Sequence, residues 1–122
     1  MRRSGFKRKY RPNKFKARKT WRDNQLFDSK LEANAYSELK LLEKGGLISE
    51  LETQKEFDLR VNDKRICMIY PDFFFYDNEM KVWVVGEAKG KPTPEWRIKW
   101  KLLQALHPEY DYRMYTQYKG WE

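Results

Sequence analysis

Three charged residues interrupt the most apolar part of the sequence. Asp72 breaks a run of β-forming residues from 66 to 76, and Glu87 and Lys89 follow the apolar run from 82 to 85. A carboxylate is costly to bury without a partner. Two carboxylates placed together favour a hard cation between them, and Mg²⁺ usually takes one or two carboxylates plus water and phosphate oxygens. The pattern therefore predicts Mg²⁺-dependent phosphodiester cleavage, with Lys89 orienting the attacking water or stabilising the developing charge.

The two apolar runs should bring these residues together. The turn Asp77-Asn78-Glu79 joins them, which predicts an antiparallel hairpin buried on both faces. In such a hairpin Asp72 comes near Glu87. Residues two apart on a strand, such as Glu87 and Lys89, point to the same face.

Two helices and two further strands are predicted around this hairpin. The first helix begins at Ser29, an N-cap with Glu32 three residues on, and the second begins at Thr93, with Pro94 at its first position. Residues 51 to 59 alternate as a half-exposed strand, and a last strand spans 110 to 115. The order α-β-β-β-α-β predicts an α/β fold with a mixed central sheet flanked by helices.

Charge divides the chain into two parts. Residues 1 to 22 contain eleven Lys or Arg and no acid, whereas the other hundred residues hold 15 basic and 18 acidic ones. We interpret residues 1–22 as a basic arm and residues 23–122 as one folded domain. Arms of this density usually bind polyanions, so we expect contact with nucleic acid. A solubilising tail or a targeting signal is the alternative.

The composition argues against several classes of protein. Charged residues make up 36%, and no apolar run approaches the roughly 18 residues of a membrane-spanning helix. No apolar segment of a secretory signal follows the first basic residues, so the cytoplasm is the expected compartment. The single cysteine, Cys67, excludes an intramolecular disulfide and a cysteine-cluster metal site, and its apolar surroundings predict burial.

Several motifs of the folded domain resemble those of one nuclease superfamily. Pro71-Asp72, a gap and Glu87-Ala88-Lys89 resemble the PD-(D/E)XK signature, and the acid Glu32 matches the first motif of that superfamily. The segments F-D-S-K-L-E-A, E-L-K-L-L-E, L-E-T-Q, Y-P-D-F, E-A-K-G and W-R-I-K-W-K-L are similar to small phage endonucleases related to archaeal-type Holliday junction resolvases. The resemblance spans residues 24 to 115.

This resemblance implies a restriction-endonuclease-like core and a homodimeric, Mg²⁺-dependent enzyme that cuts branched DNA such as a four-way junction, with Mn²⁺ able to replace Mg²⁺. A phage origin would place the protein in the bacterial cytoplasm. The implied catalytic residues are Glu32, Asp72, Glu87 and Lys89, and the implied metal contacts are Asp72, Glu87, Ala88 through its carbonyl, and Glu32. Gly86 departs from the pattern, because related sequences often carry another acid there.

The expected DNA contacts lie in the basic arm and near the motif. Lys99 and Lys101 stand on the second helix, where such nucleases often have a basic or amide residue. The full set is Arg2, Arg3, Lys7, Arg8, Lys9, Arg11, Lys14, Lys16, Arg18, Lys19, Ser29, Lys99 and Lys101.

Each candidate also has a structural interpretation. Glu32 could be only the capping partner of Ser29, and Asp72 could mark a bend in its strand. Glu87 and Lys89 could form an ion pair at a sheet edge, which contributes little stability. At the level of function, a flap or nicking nuclease and a non-catalytic nucleic-acid-binding protein of the same fold are the alternatives.

Deletion of residues 1 to 20 tests the basic arm. The deletion removes ten of the eleven cations, and each lost phosphate contact lowers the slope of log affinity against log salt by about 0.9. We expect weaker DNA binding, a flatter salt dependence and an intact fold, measured by titrations at several salt concentrations. An unchanged slope would show that the arm does not touch DNA.

Overall fold

The computed structural model describes residues 19–88 and 92–121, which contain a central five-stranded sheet with a helix packed on each face. The helices are α1 Lys30–Lys44 and α2 Pro94–Leu106. The strands are β1 Thr20–Arg22, β2 Gln25–Phe27, β3 Ile48–Thr53, β4 Phe57–Val61, β5 Lys64–Ile69, β6 Phe73–Asp77, β7 Val82–Ala88, β8 Asp111–Thr116 and β9 Gly120–Trp121.

The central sheet is mixed and has the strand order β3-β6-β7-β8-β9. β6 and β7 form the predicted antiparallel hairpin, with Phe73 opposite Gly86. β8 runs parallel to β7, because the chain crosses over through α2 between these two strands. The remaining pairs are antiparallel. The predicted α/β fold with a mixed central sheet flanked by helices is confirmed.

Both predicted helix starts are confirmed. The Ser29 hydroxyl accepts the backbone N–H of Glu32 at 3.1 Å, and the Thr93 hydroxyl accepts that of Trp96 at 3.2 Å. Each bond satisfies one of the N–H groups that a helix leaves without an internal partner.

Within the described ranges, no helix is long and apolar enough to cross a membrane.

Strand alternation gives the central sheet a core on each face. Phe73 and Phe75 point toward α1, whereas Phe74 lies in the core under α2. The buried residues of the α1 core are Phe27, Ala33, Ala35, Tyr36, Leu39, Ile48, Phe73, Phe75, Val84, Ala88 and Tyr115. Those of the α2 core are Phe57, Leu59, Ile69, Phe74, Val85, Trp100 and Leu103.

The predicted strand 51–59 is divided at Gln54, so the prediction of one continuous strand was wrong. Gln54 has a left-handed φ of 57°, which ends β3 and turns the chain. Leu51 therefore packs against the α1 core, whereas Phe57 and Leu59 lie in the α2 core. Their period-2 alternation continues through the turn, which is why the sequence pattern conceals it.

The predicted strand 66–76 is also divided. Pro71 has no N–H for a ladder hydrogen bond, and the residues before it form β5, which pairs with β4 outside the central sheet. Ile66 of β5 is exposed, and Cys67, which packs at the edge of the α2 core, is only half-buried, contrary to the prediction of burial.

The described residues begin at Lys19, within the segment 1–22 that was interpreted as a basic arm. Thr20–Arg22 form β1, which pairs with β2, and residues 1–18 lie outside the described ranges. The Arg22 guanidinium ties β1 to α1 through three acceptors at 2.7 to 3.2 Å, the Ala33 carbonyl, Ser37 Oγ and Asn34 Oδ1. A deletion that leaves β1 whole should therefore end at residue 18.

Asp77 shows how this fold stabilises a buried structural acid. Its carboxylate accepts the backbone N–H groups of Glu79 and Met80 at 2.9 and 3.0 Å, and Arg113 Nη2 at 2.8 Å. Burial opposes ionisation, but these donors together hold the pKa of Asp77 below its usual value. Asp77 thus holds the turn of the β6–β7 hairpin and also links β6 to β8 through an ion pair.

Gly86 lies under the ring of Trp121. A Cβ at Gly86 would meet two ring carbons of Trp121 at 2.9 Å. The ring is held in turn by edge contacts with Phe73 and by an N–H bond to the Ala35 carbonyl at 3.4 Å. The position at which the sequence departs from the nuclease signature therefore has no room for a side chain.

Gly86→Ala should lower the free energy of unfolding by about 1 to 3 kcal/mol, the usual range for overpacking. Urea denaturation measures it, and Gly45→Ala is the control, because a Cβ there meets its nearest atom at 3.5 Å. In a Trp121→Ala background most of the loss should disappear. An equal loss in both backgrounds would contradict the assigned contact.

Candidate active site

A row of polar residues crosses the end of the central sheet. The registers of β3 with β6 and of β6 with β7 place Gln54, Asp72 and Glu87 side by side. The Gln54 backbone N–H donates to the Asp72 carbonyl at 3.1 Å, which extends the β3–β6 pairing by one residue. The predicted proximity of Asp72 and Glu87 thus has a structural cause in strand register.

Asp72 and Glu87 are held by reciprocal bonds to backbone. The Asp72 N–H donates to Glu87 Oε1 at 3.1 Å, and the Ala88 N–H donates to Asp72 Oδ2 at 3.0 Å. Their residues are only 3% and 2% exposed. Since hydrogen bonds from backbone N–H groups stabilise a carboxylate that has left water, these bonds fix both acids at the sheet end.

Glu32 brings a third carboxylate to this place from α1. Its backbone N–H is occupied by the Ser29 cap, while its side chain is buried and Oε2 lies 3.4 Å from Gln54 Nε2. Capping and a place at the site are therefore compatible. Glu32, Asp72 and Glu87 are called the acid cluster below.

Gln54 connects two members of the acid cluster, Glu32 and Asp72, and was not among the predicted site residues. Its Nε2 is 3.4 Å from Glu32 Oε2 and 3.4 Å from Asp72 Oδ1. In the sequence Gln54 ends the segment L-E-T-Q, which is part of the nuclease resemblance but assigned no role to this residue. Only the pairing of β3 with β6 places it beside the acids.

The other predicted site residues are dispersed. Ser29 uses its hydroxyl as the α1 cap, Lys19 forms an ion pair with Asp28 at 3.4 Å, and Lys99 forms one with Glu95 at 3.3 Å. Lys101 is exposed on α2. The predicted residues that lie outside the described ranges are Lys89, Arg2, Arg3, Lys7, Arg8, Lys9, Arg11, Lys14, Lys16 and Arg18.

Comparison with known proteins identifies the family of this chain. Residues 12–120 match the family described as "Protein of unknown function (DUF1064)". The chain belongs to this family. No curated protein and no solved structure matches it. The DUF1064 match extends from before β1 into β9, so it includes the acid cluster and Gln54.

The donor chemistry of the acid cluster suits a hard divalent cation, since it offers oxygen atoms only. Gln54 Oε1 adds a buried oxygen that has no hydrogen-bond partner among the described residues. Within those residues, no three His, Cys, Asp or Glu side chains are grouped closely enough to hold one metal ion. Mg²⁺ usually needs only one or two carboxylates from a protein. In this DUF1064 protein, the adjacent carboxylates of Asp72 and Glu87 meet that requirement.

A cavity of about 280 Å³ borders the first turn of α1. Its lining consists of Lys30, Leu31, Asn34 and Gln117. Lys30 and Leu31 directly precede Glu32 in sequence, and Gln117 follows β8, whose Tyr115 is paired with Ala88. The cavity therefore offers an ammonium and two amide groups between the start of α1 and the residues that follow β8.

Proposed function

We propose that this DUF1064 protein is a Mg²⁺-dependent DNA endonuclease with Asp72, Glu87 and Lys89 at its catalytic centre and Glu32 in support. The side-by-side placement of the buried acids Asp72 and Glu87 at the end of the sheet carries the proposal. Asp77, at the opposite end of β6, is stabilised by the guanidinium of Arg113 as a structural acid. Carboxylates that lie side by side repel each other, and a divalent cation bound between them would offset this repulsion.

Each residue has a role in the proposed chemistry. Asp72 and Glu87 would hold the ion with the Ala88 carbonyl, and Glu32 would complete the site directly or through water. Bound Mg²⁺ would supply positive charge at the scissile phosphate and activate a water molecule for attack. Lys89, two residues beyond Glu87, would orient that water or stabilise the charge that develops on the phosphate.

The proposed substrate is branched DNA, above all a four-way junction. One chain carries one acid cluster and can make one incision, whereas symmetrical resolution needs two, so we propose a two-fold homodimer. The basic arm would neutralise backbone phosphates. Recognition would then depend on DNA shape, in the cytoplasm of a bacterium if a phage encodes the protein.

Cleavage of a labelled four-way junction and of a matched linear duplex, in Mg²⁺ and in Ca²⁺, tests this function. Asp72→Asn keeps the shape of the side chain but removes its charge, and should lower the cleavage rate more than about 100-fold, beyond what outer-shell substitutions cost. Asp63→Asn is the matched control. Asp63 is exposed in the β4–β5 turn at a φ of 67°, which asparagine tolerates, so this variant should cut at the wild-type rate.

The wild-type protein should cut opposing strands of the junction in Mg²⁺ and bind without cutting in Ca²⁺, whose looser coordination positions the water poorly. Wild-type cleavage by Asp72→Asn would contradict the assigned site. Equal rates on junction and duplex would replace the resolvase with a general or nicking nuclease. Binding without cleavage in every cation would indicate a non-catalytic DNA-binding protein.

A further inference from the structure

We infer that Gln54 is a positioning residue of the acid cluster, whose carboxamide holds Glu32 of α1 against Asp72 of the sheet. Gln54 would thus determine where Glu32 stands, without itself reacting. The inference rests on the proposed function only for the identity of the cation that the cluster accepts. The positioning role itself is carried by the contacts of Gln54.

The backbone of Gln54 is held in an unfavourable conformation. Its φ of 57° lies in the left-handed region, which residues other than glycine and asparagine adopt rarely. The bond from its N–H to the Asp72 carbonyl fixes it in the row with Asp72 and Glu87. The neighbouring Thr53 hydroxyl accepts Gln25 Nε2 from β2 at 3.2 Å, which supports the same turn from outside. Strained residues of this kind persist where the surrounding structure determines them, often at functional sites.

The side-chain amide of Gln54 carries two hydrogens, which can be donated to two acids. Nε2 lies 3.4 Å from Glu32 Oε2 and equally far from Asp72 Oδ1, so each N–H can be directed to one carboxylate. Both contacts are longer than the usual N–H···O distance of about 2.9 Å, so each is a weak bond. The amide dipole thereby offsets the repulsion between carboxylates that come from different layers of the fold.

The oxygen atom of the Gln54 amide also supports the positioning role. Gln54 Oε1 is buried and has no hydrogen-bond partner within the described ranges. A buried acceptor without a partner destabilises a fold, so a residue that only filled space would be better replaced by an apolar one. The polar amide is explained if its N–H₂ group is needed to hold the two acids.

Thermal unfolding of the full chain in chelator and in Ca²⁺ tests whether the side chain at position 54 faces the two acids and whether the cluster takes a cation. Gln54→Met keeps the length of the side chain without its donors, and Gln54→Glu replaces the donors by a further acid. In chelator, Gln54→Glu should melt at least about 4 °C below Gln54→Met, and Ca²⁺ should restore most of that difference. Gln104→Glu makes the same exchange on α2, outside the acid cluster, and should change neither value.

Equal melting of Gln54→Met and Gln54→Glu in chelator would overturn the inference. A loss in Gln54→Glu that Ca²⁺ does not restore would support the positioning role but contradict the cation site of the proposed function. These two failures are therefore distinguishable.

Nuclear magnetic resonance of side-chain amides gives a second readout that does not depend on a Gln54 variant. Glu32→Gln leaves the backbone N–H that Ser29 caps, but it removes the charge that faces Gln54. The Gln54 side-chain N–H₂ signals should shift in this variant while those of Gln104 stay in place. Unshifted Gln54 signals would also overturn the inference.

Discussion

The register between β6 and β7 is the constraint on which the site depends. Because Phe73 lies opposite Gly86, Asp72 lies beside Glu87, and each acid reaches a backbone N–H of the other segment. A slip of one residue would move every side chain of a strand to the other face and separate the two acids. At the opposite end of the hairpin, the Asp77 carboxylate accepts the N–H groups of Glu79 and Met80 and holds the turn that joins the two strands.

The residues that pack against this hairpin depend on its register. On the α1 side, the Trp121 ring occupies the space over Gly86, which joins the last strand to the middle of the sheet. At the end of β3, the left-handed Gln54 turns the chain from the α1 core to the α2 core and places its amide between Glu32 and Asp72. The turn at Gln54 therefore also determines where its amide lies in the acid cluster.

Features that depend on neighbours in sequence could be predicted from the sequence. The caps at Ser29 and Thr93 and the β6–β7 hairpin belong to this class, because a cap or a short turn involves residues a few positions apart. The divisions at Gln54 and Pro71 could not be predicted by alternation, since a period-2 pattern is the same whether a strand stays in one sheet or passes to another. The role of Gln54 depends on cross-strand register and on α1, which no local pattern contains.

The proposed activity requires that Asp72 and Glu87 together hold a divalent cation. Anomalous diffraction from crystals of the full chain grown with Mn²⁺ tests it most directly, because Mn²⁺ accepts the same oxygen donors as Mg²⁺ and scatters distinctively. The strongest anomalous peak should lie within coordination distance of carboxylate oxygens of both residues, and it should be lost in Asp72→Asn. Peaks confined to exposed acids such as Asp58, with none at Asp72 and Glu87, would contradict the claim.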